Sequence, residues 1–261
     1  MSCKKKCTFG QRKNKMMSRI IAIVNHKGGV GKTTTTLNLG KALSLQGKKV
    51  LLIDNDPQGN LSQYVGIREP EVSMYHVYEK KVSLPICQIS ENLDIVPAEL
   101  SLSIVENKVA SEGQSGYFRL KKSLESFYKH YDFVLIDCQP SLNSLTINAL
   151  VAAHQVLVVV QAHYLSIQGL DTIFALLQNI QENLNVRLHL VGTLITQVNR
   201  TSATKVITKY LQEQPQIKLF KSQIRQSTDF VESTIANKDI FSYNPKSNGA
   251  IDYMNLAKEI L

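Results

Sequence analysis

Few cysteines, no long apolar run and no early acid each close off a class of protein. Of 261 residues four are cysteines, Cys3, Cys7, Cys87 and Cys138. They are too few and too scattered for a disulfide framework, so a reducing cytosol is the natural home. Cys3 and Cys7 form C-x-x-x-C in a lysine-rich stretch, where a metal site would need further ligands and none lie nearby. No segment reaches the roughly 18 consecutive apolar residues of a membrane span; runs such as 156–160 are strand length. No Asp or Glu precedes Asp54. The first nineteen residues carry Lys4, Lys5, Lys6, Arg12, Lys13, Lys15 and Arg19 without apolar periodicity, and read as a disordered basic arm. A secretory leader needs an apolar stretch of roughly 7–15 residues after such a cluster, and none follows. Met16 and Met17 offer a second translation start. There is no internal repeat and no interdomain linker. The reading is an arm, residues 1–18, followed by a single domain, residues 19–261.

What is present is an alternation. Residues 20–25 are apolar and β-branched and read as a buried strand. Residues 33–46 place Leu37, Leu39, Ala42, Leu43 and Leu45 at roughly helical spacing, with Gly47 as a stop. Further strands are expected at 49–54, 93–97, 132–137, 155–161 and 188–196, and a short extended piece at 217–220. Helices are expected at 99–108, 117–130, 143–153, 166–184, 203–212, 228–236 and 250–261. Strands alternating with helices predict an α/β fold: a doubly wound, mostly parallel sheet with helices on both faces, and a ligand at the carboxyl ends of the strands.

Between the first strand and the first helix lies Lys27-Gly28-Gly29-Val30-Gly31-Lys32-Thr33-Thr34. Glycines let the backbone turn tightly and bring N–H groups close to an anion. The start of the helix adds unpaired donors and the positive end of its dipole. In such a loop Lys32 reaches the β- and γ-phosphates, Thr33 offers its hydroxyl to Mg²⁺, and Thr34 touches the α-phosphate. The general pattern G-x-x-x-x-G-K-[ST] has glycine where this chain has His26, and a second lysine, Lys27, stands five residues before Lys32.

This form, K-G-G-x-G-K-[ST], is the deviant Walker A motif, and in it the chain resembles the ParA/MinD group of P-loop ATPases. The resemblance implies that ATP and Mg²⁺ bind, that ATP is hydrolysed, and that Lys27 reaches across a dimer to the partner's nucleotide. Asp54-Asn55-Asp56-Pro57-Gln58-Gly59-Asn60 closes the second strand, and carboxylates at i and i+2 there can both face the ligand crevice. The segment is similar to the group's D-x-D-P-Q-G-N, which implies that Asp56 orients or activates the attacking water. Asp54 would act on the water shell of Mg²⁺ or support that geometry; a turn in which Asp54 caps the following helix is the alternative. Val134-Leu135-Ile136-Asp137 has the Walker B form, whose acid holds a water on Mg²⁺. It runs into Cys138-Gln139-Pro140-Ser141-Leu142, which resembles D-C-P-P-S-L with Gln139 in place of the first proline, a change that bears on loop stiffness. Cys138 reads as a small buried thiol. Val160 and His163 replace the proline and glutamate common near the dimer interface, and His163 reads as an interface or helix-start residue. By the same analogy Asn199 hydrogen-bonds the adenine. Residues 241–250 resemble Y-x-P-x-S-x-G-A, so the likeness covers nearly the whole chain after the arm.

The formal net charge is +9. Residues 197–225 hold Arg200, Lys205, Lys209, Lys218, Lys221 and Arg225 against one acid, Glu213. Lys205 and Lys209 share a helical face, which suits a sequence-blind, salt-sensitive phosphate-tracking surface. The favoured reading is a ParA/Soj-type partition ATPase: a homodimer on ATP, bound to nonspecific DNA, stimulated by a ParB-type centromere-binding protein, cytoplasmic and nucleoid-associated. No helix-turn-helix domain is expected ahead of the loop, hence no operator binding. The alternatives are a MinD-like membrane-positioning ATPase, for which residues 251–261 look instead like a domain-packing helix, a related ATPase that positions a protein cargo on the nucleoid, and a non-enzymatic nucleotide-dependent scaffold.

Overall fold

A computed structural model of the chain describes residues 18–80, 82–163, 169–199 and 201–261, with the backbone alone at 202–203. The basic arm up to residue 17, Arg200 and the expected helix start at 166–168 lie outside the described residues. The elements run β1 (Arg19–Val24), α1 (Lys32–Leu45), β2 (Val50–Asn55), α2 (Asn60–Tyr64), α3 (Met74–Tyr78), β3 (Cys87–Ser90), β4 (Leu93–Val96), α4 (Leu102–Ser111) and α5 (Arg119–Leu124). They continue with β5 (Phe133–Cys138), α6 (Ser144–Ala152), β6 (Gln155–Gln161), α7 (Leu170–Asn183), β7 (His189–Val198), α8 (Ser202–Gln212), β8 (Leu219–Arg225), α9 (Asp229–Ile235), α10 (Ile240–Tyr243) and α11 (Asn248–Ile260).

One eight-stranded sheet has the order β3-β4-β2-β5-β1-β6-β7-β8. Every pairing is parallel except β3 with β4. The continuous apolar runs follow from burial on both faces. Successive residues of a strand alternate sides, so Ile20, Ala22 and Val24 of β1 join one core while Ile21 and Ile23 join the other. The first core is closed by α4, α6 and α7, through Leu102, Val105, Leu145, Ala149, Ile173 and Ile180. The second is closed by α1 and α11, through Leu39, Leu43, Tyr253, Leu256 and Ile260. Each such leucine or isoleucine contributes about 1.5–3 kcal/mol on burial. Gly40 lets α1 lie close on the sheet: a Cβ there would be 2.6 Å from Leu52 Cδ2.

The sheet has more strands than expected. The extended piece at 217–220 is the start of a full strand, β8, and a hairpin strand, β3, precedes β4. The helix expected at 117–130 is broken. Residues 113–118 form a 3₁₀ turn, α5 is short, and residues 128–130 form another 3₁₀ turn. Gly116 sets this path, since a Cβ on it would meet the Val109 carbonyl oxygen at 2.2 Å. Arg119, 5% exposed, then holds the segment through Glu112 and the Tyr78 carbonyl.

β1 connects through α1 to β2 on one face and β5 connects through α6 to β6 on the other, so the strand order switches between β5 and β1, the place where such sheets bind ligands at the carboxyl ends of their strands. No helix among the described residues is long and apolar enough to cross a membrane.

Candidate nucleotide site

The loop between β1 and α1 is anchored at its entrance by Asn25, 2% exposed. Its Nδ2 donates to the Val159 carbonyl at 2.6 Å, and its Oδ1 accepts the Lys27 N–H at 2.9 Å. Gly29 and Gly31 have φ of 75° and 91°, a region that a side chain disfavours. Gly31 is the N-cap of α1, so no side chain caps that helix and its first turn holds no acid. The first-turn N–H groups and the helix dipole are therefore available to an anion. The Lys32 side chain folds back into the loop, with Nζ donating to the Lys27 carbonyl at 3.0 Å. Burial lowers its pKa; the charges of Asp137 and Asp56 oppose that shift. His26, where the general motif has glycine, has room because Gly169 lacks a side chain: a Cβ there would lie 1.6 Å from His26 Cε1.

The end of β7 closes the far side. Thr196 Oγ1 donates to the Val30 carbonyl at 2.7 Å, and Gln197 Nε2 donates to the Gly29 carbonyl at 2.6 Å. Asn25, Thr196 and Gln197 are the site residues that sequence reasoning missed. For Asn25 the signal was a polar residue closing an apolar strand just before a glycine loop; Thr196 and Gln197 are brought in by the fold alone.

Asp54 and Asp137 are adjacent in the β2–β5 ladder. Both are fully buried, and their surroundings differ. Asp54 Oδ2 accepts from Ser62 N at 2.9 Å and Ser62 Oγ at 2.6 Å, and its Oδ1 accepts the Asp56 N–H at 3.3 Å. Its carboxylate thus caps α2 and ties down the turn that carries Asp56. Burial pushes its pKa up to about 6, against the Ser62 and Asp56 hydrogen bonds. Asp56, 6% exposed, accepts the Gln58 N–H on Oδ1 at 2.9 Å. Its pKa is raised by burial, with that N–H and the Lys32 cation pulling the other way. Asp137 Oδ1 accepts from Thr36 Oγ1 at 3.2 Å. Its Oδ2 is buried with no partner. Burial, then the Asp54 charge, hold this carboxyl well above the usual range. A buried orphan acceptor beside a threonine hydroxyl and a buried ammonium fits a hydrated divalent cation, which prefers oxygen ligands and keeps much of its water.

Cys138 is buried, and burial raises its thiol pKa well above the usual range, in keeping with an inert core thiol. Gln139, in the place of a proline, is 8% exposed and donates to Glu106 at 3.1 Å and Asn143 at 2.5 Å, so hydrogen bonds stiffen this loop. Asn199 follows β7 directly. Its Oδ1 accepts from Thr201 Oγ1 and Thr204 Oγ1, both at 2.8 Å, which leaves the amide N–H₂ as its recognition group.

The structure separates the basic set. Lys205 and Lys209 are exposed on α8. Lys218 lies at the amino ends of the strands, beside Arg19 and His189. Lys221 is exposed on β8, near the Glu259 carboxylate that takes its backbone N–H. Arg225 is held by Asp252, with Nη2 at 2.6 Å and Nε at 3.0 Å from its carboxylate oxygens, and is committed to α11.

The profile of the AAA domain family matches residues 18–190. The sporulation initiation inhibitor protein Soj of Bacillus subtilis is 39% identical over 251 residues, covering 94% of this chain and 98% of that protein. The chromosome partitioning protein ParA of Caulobacter vibrioides is 35% identical, covering 93% of this chain and 94% of that protein. Among solved structures, cobyrinic acid a,c-diamide synthase of Mycobacterium smegmatis with bound ADP and magnesium is similar at a TM-score of 0.82 and 31% identity, over 93% of each chain.

Proposed function

The chain belongs to the Soj/ParA family of partition ATPases, and from that premise we propose that it is a DNA-segregation enzyme. It binds ATP with Mg²⁺, dimerises face to face on the nucleotide, holds DNA without regard to sequence, and is driven through its cycle by a ParB-type partner in the cytoplasm, on the nucleoid. The observation that carries the ATPase reading is the glycine loop at the uncapped start of α1, with the buried Lys32 side chain folded back into it. Residues 27–34 cradle the phosphates. Thr33 and, through water, Asp137 would hold the cation. Held there, magnesium would supply positive charge against that of the phosphates. Asp56 orients the attacking water and takes its proton; the upward shift of its pKa makes it a better base. Asp54 positions Asp56. Lys32, and Lys27 from the partner copy, offset the charge that develops in transfer. Asn199 serves the adenine through its amide N–H₂, and α8 offers Lys205 and Lys209 to DNA phosphates.

The fold of the last helix favours this reading over the membrane alternative. The apolar face of α11 is spent on the core, with Tyr253, Leu256, Ala257 and Ile260 all buried, so it offers no amphipathic anchor. Co-sedimentation with DNA and, in parallel, with anionic liposomes tests the choice. With Mg²⁺ and ATP at low salt the protein should pellet with DNA and not with liposomes; the reverse outcome overturns the partition reading. Lys27→Ala should abolish the ATP-dependent dimer in light scattering while ADP still binds. A dimer that persists refutes the role given to Lys27.

A further inference from the structure

Gln197 has a backbone φ of 53°, in the left-handed region that residues with a side chain seldom occupy. It lies within β7, one residue after Thr196, which pairs with Gln161 in the β6–β7 ladder. In a regular strand two consecutive side chains point to opposite faces. Here both Thr196 and Gln197 reach the phosphate loop, donating at 2.7 Å to the Val30 carbonyl and at 2.6 Å to the Gly29 carbonyl. The left-handed turn is what lets neighbouring side chains serve one loop. The Gln197 amide is itself oriented, since Gln161 Nε2 donates to its Oε1 at 2.7 Å and so leaves Nε2 for Gly29.

In a trans peptide the C=O of one residue and the N–H of the next point in opposite directions. Holding the Gly29 carbonyl toward β7 therefore turns the Val30 N–H away from β7, and holding the Val30 carbonyl does the same for the Gly31 N–H. The glycines on either side, both at positive φ, leave these peptides free to flip unless something pins them. A flipped peptide would aim a carbonyl at the anion, and a preorganised one presents a donor at no further cost. We propose that Thr196 and Gln197 are positioning residues for the nucleotide, acting through the carbonyls of Val30 and Gly29 to face two backbone donors toward the phosphates. The inference rests on the reading of the loop as an ATP site.

The test uses the whole protein and four chains: wild type, Thr196→Val, Thr196→Ser and Gln197→Met. Methionine keeps the length and the backbone strain of glutamine and removes the donor; serine keeps the hydroxyl that valine lacks. ADP affinity with Mg²⁺ is measured by calorimetry, the melting temperature without nucleotide by scanning calorimetry, and the Val30 and Gly31 amide resonances by NMR. T196V and Q197M should each bind ADP about tenfold more weakly or worse. Both should shift the two amide resonances without nucleotide, and T196S should bind as the wild type does. Wild-type affinity in both T196V and Q197M, or a loss in T196S equal to that in T196V, overturns the proposal alone. Failure of the wild type to bind ADP overturns the ATP-site reading and this inference with it. If one substitution prevents folding, the other decides the outcome.

Discussion

Asp137→Asn should stabilise the nucleotide-free protein while weakening its response to nucleotide. The side chain is fully buried, its Oδ2 has no partner, and it pairs in register with the buried Asp54. Asparagine keeps the Oδ1 acceptor that Thr36 uses and removes a buried negative charge that lies beside Asp54 and is only partly offset by Lys32. The amide nitrogen that replaces Oδ2 is equally unpartnered but neutral, and a buried charge costs more than a buried neutral group, here by about 1–3 kcal/mol. In a domain of this size about 2–4 °C accompanies each kcal/mol, so the melting temperature in EDTA should rise by about 2–12 °C. The wild type with Mg²⁺ and ADP at a hundred times the dissociation constant should gain about 2.7 kcal/mol, or roughly 5–11 °C at the same conversion. In D137N that second increment should largely vanish. Differential scanning calorimetry with and without Mg²⁺–ADP reads both quantities on the same two proteins. If D137N melts below the wild type in EDTA, the buried charge is compensated in a way the hydrogen bonds do not reveal and the reasoning fails. A full nucleotide increment in D137N would remove Asp137 from the cation site.

On the DNA surface, Lys205→Ala and Lys209→Ala should each lower the slope of log affinity against log salt by about 1, measured by fluorescence anisotropy on nonspecific duplex. Arg225→Ala should leave that slope unchanged and instead lower the melting temperature by a few degrees, because Asp252, its side chain 8% exposed, loses its partner; the bond is worth about 1–2 kcal/mol after discounting for the half-exposed arginine. Gly169→Ala should destabilise by about 1–3 kcal/mol in thermal unfolding, because its Cβ would meet the His26 ring, and Gly169→Ala with His26→Ala should recover most of the loss. His154 accepts the Ile20 N–H on Nδ1 at 3.3 Å, and burial lowers its pKa. The unfolded chain then binds the proton more readily, so its contribution is complete above the ordinary histidine range and is lost as pH falls through the lowered folded value. Melting curves from pH 8 to 5 should show His154→Gln losing less stability than the wild type on acidification.

The parts of the fold legible in the sequence are those governed by short-range regularities. Parallel strands covered on both faces read as unbroken apolar runs, which is why β1, β2, β5, β6 and β7 stand out. Edge strands do not: β3 has no fully buried residue, and β8 buries only Phe220 and Ile224, four residues apart. The five-residue helices α2 and α3 are too short for a 3.6-residue period to register. The phosphate loop was legible because its chemistry is contiguous. For Asp54 the sequence leaves a capping turn and a place at the cation both open, and only the bonds to Ser62, eight residues later, show the capping geometry. The spread of the basic set in space is likewise not legible in the sequence. Lys218 and Arg225 are near in sequence, yet Lys218 immediately precedes a strand and Arg225 ends it, so about seven residues at roughly 3.3 Å each set them some 23 Å apart.

The charge arrangement explains why nucleotide and cation belong to one event. Asp54, Asp56 and Asp137 meet in a site where burial raises the pKa of all three. Lys32 is the cation whose charge acts on Asp56 and Asp137, and burial lowers its pKa in turn. Asp54 relieves its own position with hydrogen bonds to Ser62 and the turn. Asp137 has no such relief on Oδ2. ATP alone would bring further negative charge toward that oxygen, and a divalent cation alone would find few direct ligands in the pocket. Together the two satisfy the uncapped amino end of α1, the buried ammonium and the orphan carboxylate oxygen at once. Lys27 stands at the mouth of the same loop, outside this buried cluster, as the proposed reach to a second copy requires.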